Sequence, residues 1–415
     1  MSDGIVTICL PAYGAGPYLA PAIESVLAQT SSRWRLAIGV EKTDDVADAL
    51  TVCRSFSSRD DRIRVHVNDG VLGYAANVAS LLDRVDTEMF AILPHDDLLH
   101  PEYVERLTAE LARRPDAVLA YPDILHLGEH PGCRSLPLDD DHLATRLVSF
   151  HLARAEALPW RGVARASVLA PPNGARFSDN DYQGFAAECE WVQSLILRGP
   201  CVRVPCTLSV KRIPASDVAT ASRAWTHGFT AEERRAATDY HRRAMLDALD
   251  DAPLEENDRV DVVACCEAAM MLRRLRLGLG KEPLGDDDLR RLDRLEADAE
   301  NTSDPVRLRL QSRLARILAH HHLAGGNVEL ALIEARRAVS LDPHDYEALV
   351  LLSNILLRSG KPGEALVRIT DAAALGPVTP DVLRLWRRIA TRLDRDGHRQ
   401  LRQIKRAARS SESAS

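Results

Sequence analysis

The chain has 415 residues, 46% apolar and 27% charged, the make-up of an ordinary globular protein with two or three domains. A formal net charge of −7 argues against a general nucleic-acid binder, because neutralising phosphates takes a basic excess. No apolar run approaches the roughly 18 residues of a membrane span, and none of the eight cysteines forms a C-x-x-C pair, so neither a transmembrane segment nor a zinc site is expected.

The first ~120 residues alternate strand and helix. Ile5–Leu10 is a continuous apolar run suited to a strand buried on both faces. Tyr18–Gln29 follows with Leu19, Ile23, Val26 and Leu27 at helical spacing. Further strands are predicted at Leu36–Val40, Ile63–Val67, Met89–Leu93 and Ala117–Tyr121. Helices are predicted at Val46–Ser55 and Tyr74–Leu82, and another from Pro101 with Tyr103, Val104, Leu107 and Leu111 inward. Such units imply a mostly parallel, Rossmann-like α/β sheet, whose ligands bind beyond the carboxyl ends of the strands. From about 125 to 215 the pattern loosens, with one clear helix at Ala186–Arg198. After about 217 everything reads as helix.

A 34-residue period then emerges. Gly326, Ala331 and Pro343 recur as Gly360, Ala365 and Pro377. A helix–turn–helix of this period resembles the tetratricopeptide repeat, and flanking helices are expected to complete the stack. The expected domains are therefore 1–216, a helical connecting region at 217–303, and repeats with a basic terminal helix at 304–410. From Arg384 to Arg409 ten Lys or Arg stand against Asp394 and Asp396. Leu385, Trp386, Ile389 and Leu393 are interleaved with these basic residues. This segment is expected to cap the solenoid; adhesion to an anionic membrane surface is the alternative.

The chemistry begins at Pro94-His95-Asp96-Asp97, directly after the fourth strand. Adjacent carboxylates there can hold a hard divalent cation that in turn grips a diphosphate, or they can simply initiate a turn. Glu188 precedes Trp191, Val192, Leu195 and Ile196 by 3, 4, 7 and 8 residues, which puts it on the apolar stripe of a helix near its start. A carboxylate so placed is paired, capping or working as a base. Glu190, with Gln193 and Ser194, falls on the opposite, solvated face. Asp181 and Glu190 are the alternative bases. In His320-His321-His322 successive residues point about 100° apart, so a metal cluster is not expected.

Several ordered blocks together resemble family 2 glycosyltransferases of the GT-A fold, over about residues 5–215. They are Val6-Thr7-Ile8-Cys9-Leu10-Pro11-Ala12-Tyr13 with Ile23-Glu24-Ser25-Val26-Leu27-Ala28-Gln29-Thr30, Asn68-Asp69-Gly70 with Gly73 and Asn77, and His95 to Glu102. The resemblance implies binding of a nucleotide-diphospho-sugar and its transfer, with inversion, to an acceptor hydroxyl. It places Pro11 and Tyr13 near the nucleobase, with Glu41 where an aspartate is usual and Asn77 also at the donor. It sets Asp96 against the nucleoside and sugar, and makes Asp97 the ligand of Mn2+ or Mg2+, with Asp96 beside it. Ala187–Gly199 resembles the family's acidic base motif, with Glu188 as the base. Trp160-Arg161-Gly162 resembles an acceptor-side block, where Trp160 stacks on a sugar or packs in the core. Lys211 and Arg212 resemble a late segment that approaches the diphosphate, or form a solvated basic pair. The first acidic position of the aspartate motif is Pro94 here, so a catalytically degenerate, repeat-bearing scaffold is the rival reading, and nucleotidyl transfer a second. The expected location is the cytoplasm, with a peripheral membrane position less favoured. A peptide or protein partner is expected at the repeats.

Overall fold

The structure is a computed structural model that describes residues 4–14, 16–128, 132–153, 157–171, 174–177, 180–212, 229–276, 284–299, 304–376 and 380–393. The chain forms two compact units, Met1–Cys266 and Glu267–Ser415.

The first unit is built on a nine-stranded mixed sheet. In chain order its strands are β1 (Val6–Ala12), β2 (Trp34–Val40), β3 (Ile63–Val67), β4 (Met89–Ile92), β5 (Leu98–Leu99), β6 (Leu119–Leu127), β7 (Gly132–Arg134), β8 (Val163–Arg165) and β9 (Cys201–Arg212). The spatial order is β3-β2-β1-β4-β8-β6-β9-β5, with β7 on β6. The four N-terminal strands are mutually parallel, as their apolar runs predict. Every residue of β1 is buried because β2 and β4 flank it and helices cover both faces. Beyond β4 the sheet turns mixed: β8 runs antiparallel to β4 and β6, and β9 parallel to β6 but antiparallel to β5.

Helices α1 (Leu19–Leu27), α2 (Val46–Ser57), α3 (Tyr74–Leu82) and α4 (Tyr103–Arg113) connect the strands. Their inward faces are those the periodicity predicts, Leu19, Ile23 and Val26 on α1 and Tyr103, Val104, Leu107 and Leu111 on α4. Buried Gln29 joins them: its amide donates to the Ser25 and His100 carbonyls and accepts from the Val104 N–H. Helix α5 (Leu143–Leu152), a 3-10 turn at Leu158–Arg161, α6 (Ala187–Ile196), α7 (Ala231–Asp250) and α8 (Glu256–Arg276) follow, and the division between the units falls within α8. Gly162 lets the turn cross tight against β6, since a Cβ there would meet the Ala120 carbonyl oxygen at 2.4 Å.

In the second unit α9 (Asp286–Ala299), α10 (Pro305–Ala324), α11 (Val328–Leu341), α12 (Tyr346–Arg358), α13 (Pro362–Leu375) and α14 (Pro380–Ala390) form successive antiparallel neighbours. The 34-residue period is carried physically. Gly326 and Gly360 take left-handed φ of 80° and 75° before α11 and α13. Ala331 and Ala365, then Ala338 and Ala372, are all fully buried, where only a small side chain lets the helices approach. Asp345 caps α12 through the Glu347 and Ala348 amides and pairs with buried Arg316 at 2.9 Å. Leu385, Trp386 and Ile389 of α14 are buried in one cluster with α12 and α13, so the expected apolar stripe faces the helices. The basic residues from Arg395 to Arg409 lie outside the described residues.

Candidate active site

The loops after β1, β2 and β4 converge where a parallel sheet places ligands. At the end of β1, Pro11 is buried in the strand and Tyr13 stands 46% exposed. One residue past β2, Glu41 is buried. Its Oε2 accepts the Leu72 N–H at 2.7 Å, while Oε1 is enclosed without a protein hydrogen-bond partner. Burial raises the Glu41 carboxyl above its ordinary value; the Leu72 amide and the nearby Asn68 and Asn77 side chains oppose the rise. Asn77, expected at the donor, lies behind Glu41. It is buried and its Nδ2 donates to the Gly39 carbonyl at 2.9 Å, which fastens α3 to β2. With Asn77 in this position Gly39 has no room for a side chain: a Cβ would sit 2.2 Å from Asn77 Oδ1.

After β4 the two aspartates separate. Asp97, expected to hold the metal, is 1% exposed. Its Oδ2 accepts Arg161 Nε at 2.7 Å and its Oδ1 accepts the Arg212 N–H at 3.2 Å. Burial raises its carboxyl, opposed first by the Arg161 charge. Asp96 is half-buried, and no described residue pairs with its carboxylate. The two neighbours thus differ: Asp97 anchors a buried cation, and Asp96 keeps a carboxylate that no described residue pairs with. Among the described residues no three His, Cys, Asp or Glu gather as a metal cage. The donor set fits Mg2+ or Mn2+ through Asp96 alone, since these ions take one or two carboxylates together with substrate phosphates and water. It does not fit through Asp97 unless the ion pair breaks.

Three cations surround these carboxylates. Arg161 is buried; burial alone would lower its pKa, but Asp97 outweighs it and the guanidinium stays charged. Lys211 is lowered by burial and by Arg161, against the pull of Asp97, Glu188 and Asp96. Arg212 is committed to the loops. Its guanidinium donates to the Asp96 carbonyl and, at 3.0 Å, to the Tyr18 carbonyl, and it lies over the Tyr18 ring. The expected solvated-pair alternative for Lys211 and Arg212 does not describe these partly buried side chains. His126 is held neutral, its pKa lowered to about 4 by burial and by Lys211, Arg134 and Arg161.

Glu188 enters from α6. The loop before it is strained: Gln183 and Ala186 have φ of 56° and 58°, and Gly184 has 73°. Such conformations for residues with a Cβ cost about 1–3 kcal/mol and persist only where the surroundings enforce them. Asn180 enforces this one, accepting from the Tyr182 and Gly184 amides and donating to the Phe185 carbonyl. Half-buried Glu188 has no described partner. It acts electrostatically on Tyr74 and Lys211, as Asp96 and Asp97 also do, so the carboxylates from β4 and α6 share one neighbourhood. The Tyr74 phenol, driven well above its ordinary pKa by burial and then by Glu188, has a buried hydroxyl with no protein partner.

Trp160 takes the packing role of its two. It is buried, edge-on to Tyr74 at 6.1 Å and beside Phe177, with the Arg161 guanidinium over its face. The other face of α6 is not solvated. Glu190 Oε1 lies 2.8 Å from Nδ1 of buried His241, and buried Gln193 donates to the Met245 carbonyl at 2.7 Å. Both partners are on α7. Asp181 is exposed on the loop. Neither Arg161 as the Asp97 counterion nor α7 as the cover of α6 is visible in the sequence, because each partner lies 50 or more residues away.

Residues 7–124 match the profile of the family described as Glycosyl transferase family 2. Protein CgeD of Bacillus subtilis is 31% identical over 134 residues, covering 30% of this chain and 30% of that protein. An uncharacterized glycosyltransferase of Rickettsia felis is 30% identical over 102 residues, 24% of this chain and 16% of its own length. Protein y4gI of Sinorhizobium fredii is 30% identical over 122 residues, 29% of this chain and 13% of its own length. The chain thus spans less than a third of the length of these curated relatives. Among solved structures, S. aureus TarS 1-349 aligns with a TM-score of 0.55 and 10% identity, covering 81% of this chain and 91% of TarS 1-349. Its complex with UDP-GlcNAc aligns at 0.54. At that identity the likeness is one of fold.

Proposed function

We propose that this protein transfers a sugar from a nucleoside-diphosphate sugar to an acceptor hydroxyl, with inversion at the anomeric carbon. The observation that carries the reading is that Asp96, after β4, and Glu188, on α6, both act electrostatically on Lys211 and Tyr74. Both are carboxylates without a described partner. The family match over residues 7–124 and the TarS fold support it.

Tyr13 and the rim of Glu41 and Asn68 offer a flat and a polar surface to the base, and Lys211 a positive charge to the diphosphate. Glu188 accepts the proton of the acceptor hydroxyl as its oxygen bonds to the anomeric carbon. In the same step the bond from that carbon to the diphosphate breaks, and the diphosphate leaves with its electron pair. No enzyme nucleophile is required. A divalent ion at Asp96, when bound, supplies positive charge to the diphosphate. Arg161, locked by Asp97, adds a fixed charge that needs no reorganisation during the reaction.

No described helix is long and apolar enough to cross a membrane. Scattered free cysteines support a reducing, cytoplasmic setting. The hairpins α10–α11 and α12–α13 fit tetratricopeptide-like repeats that present a partner surface.

The test is a panel of nucleotide sugars with and without Mn2+, uridine donors first because TarS 1-349 is crystallised with UDP and UDP-GlcNAc. Transfer releases a nucleoside diphosphate, and the product anomer reports inversion. Release of pyrophosphate instead, or donor binding without any release, would replace this reading with nucleotidyl transfer or a scaffold.

A further inference from the structure

The sequence resemblance to family 2 glycosyltransferases ends near residue 215, yet α7, which begins at Ala231, holds the helix that carries Glu188. We propose that α7 belongs to the catalytic unit and that His241 is a positioning residue for Glu188. The inference rests on the reading of Glu188 as the base.

Glu188 and Glu190 are two residues apart on α6, about 200° around the helix, so they face opposite ways. Glu188 faces Tyr74 and Lys211, and Glu190 faces α7. One side of α7, Ala237, Thr238, His241, Met245 and Leu249, is buried, at the three- and four-residue spacing of a helix laid along a surface. Its grip on α6 is polar as well as apolar. The Glu190 carboxylate lies 2.8 Å from Nδ1 of the buried His241 ring, and the Gln193–Met245 bond lies one turn further along. Two such bonds fix both the rotation of α6 about its axis and its slide along it, which apolar contact alone leaves soft.

The same helix also holds the strained loop. The Phe185 ring meets His241 edge-on at 6.2 Å, and Tyr182 meets Tyr240 at 5.6 Å. The left-handed backbone at Gln183 and Ala186 gives α6 its first turn, and Glu188 sits in that turn. Without the brace the loop gains by relaxing toward ordinary φ values, and relaxation rotates that first turn. A shift of about 1 Å in a reacting group is enough to cost on the order of 100-fold in rate. His241 touches no substrate in this scheme. It acts through Glu190 and Phe185 on the place where Glu188 stands.

The test uses the full chain and two readouts. In His241→Ala, hydrogen exchange of the amides of residues 183–190 should accelerate at least ~10-fold while β1 and β4 stay protected. With the donor and acceptor found for the wild type, kcat should fall about 10- to 100-fold with donor KM within about 2-fold. Glu190→Gln keeps an oxygen acceptor for the His241 ring and should stay near wild type; Glu190→Ala should behave like His241→Ala. Should His241→Ala fail to fold, the pair Glu190→Ala and Glu190→Gln carries the comparison at a less buried position. Unchanged exchange overturns the brace. Faster exchange with unchanged kcat overturns the positioning role, as does a loss confined to KM or to the folded fraction. A wild type that transfers no sugar sinks the transferase reading instead, and exchange still decides the brace.

Discussion

Asp97 accepts Arg161 Nε at 2.7 Å in the interior, while its neighbour Asp96 keeps a carboxylate that no described residue engages. Two adjacent acids thus have different work, and substitution should separate them. Asp97→Asn leaves a buried guanidinium uncompensated and should lower the stability of the first unit by about 3–5 kcal/mol. Asp96→Asn should stay within about 0.5 kcal/mol of wild type, as surface changes do, yet lose the strengthening of donor binding by Mn2+. Urea unfolding and calorimetry on both variants check this. A stable Asp97→Asn that has lost the manganese effect would return the metal to Asp97.

Glu188→Gln should bind donor with unchanged affinity and lower turnover by at least ~100-fold, the usual scale of a general base. Steady-state kinetics beside donor titration reads both. Turnover near the wild-type rate would remove Glu188 from the mechanism.

Gly39 and Asn77 should behave as a coupled pair. Gly39→Ala forces a Cβ onto Asn77 Oδ1 and should cost about 1–3 kcal/mol. Asn77→Ala leaves the Gly39 carbonyl without its buried donor, at a similar cost of about 1–3 kcal/mol. The double variant should cost clearly less than both together, because the smaller side chain removes the clash. Additive costs would mean that the two residues do not press on each other.

Much of this was legible in the sequence, and the rest for physical reasons was not. Strands β1 to β4 are continuous apolar runs because both their faces are covered, and α4 shows its buried stripe residue by residue. The strand predicted to end at Tyr121 continues to Leu127, through Pro122, where its pairing with β9 shifts register. A proline inside an apolar run reads as a stop, and only the bulge makes it tolerable. Strand β8 is three residues long and β9 mixes polar with apolar residues, too little pattern to read. Asp96 and Asp97 could not be told apart because the counterion that claims one of them lies 64 residues away. Glu190 and Gln193 read as a wet face because nothing in α6 announces that α7 will cover them.

Acid should weaken the first unit partly through His151. Its two ring nitrogens are buried without a protein partner, and burial lowers its pKa to about 3. The folded state therefore keeps the ring neutral while the unfolded chain protonates it below about 6.5. The sign follows: stability is intact above pH 6.5 and declines as pH falls toward 3. Between pH 7 and pH 5 the loss from this one group is about 2 kcal/mol. His151→Phe should flatten that part of the urea midpoint against pH; a variant as acid-sensitive as wild type would place the effect elsewhere.

Trp386 is fully buried on α14 against α12 and α13. Trp386→Ala should destabilise the second unit by about 3–5 kcal/mol and leave donor affinity unchanged. Thermal unfolding and donor titration on the same sample check it, and an unchanged transition would mean that Trp386 does not hold α14 to that cluster.

Arg212 also fixes an order of events during synthesis. The loop it ties through the Tyr18 carbonyl was made 194 residues earlier, and β5 has no neighbour in the sheet except β9. On a ribosome working at about 5–20 residues per second, the front of the sheet waits roughly 10–40 s for the strand that closes it. A chain cut short of residue 212 therefore lacks the contacts that tie the loops at Tyr18, Asp96 and Asp97 to β9.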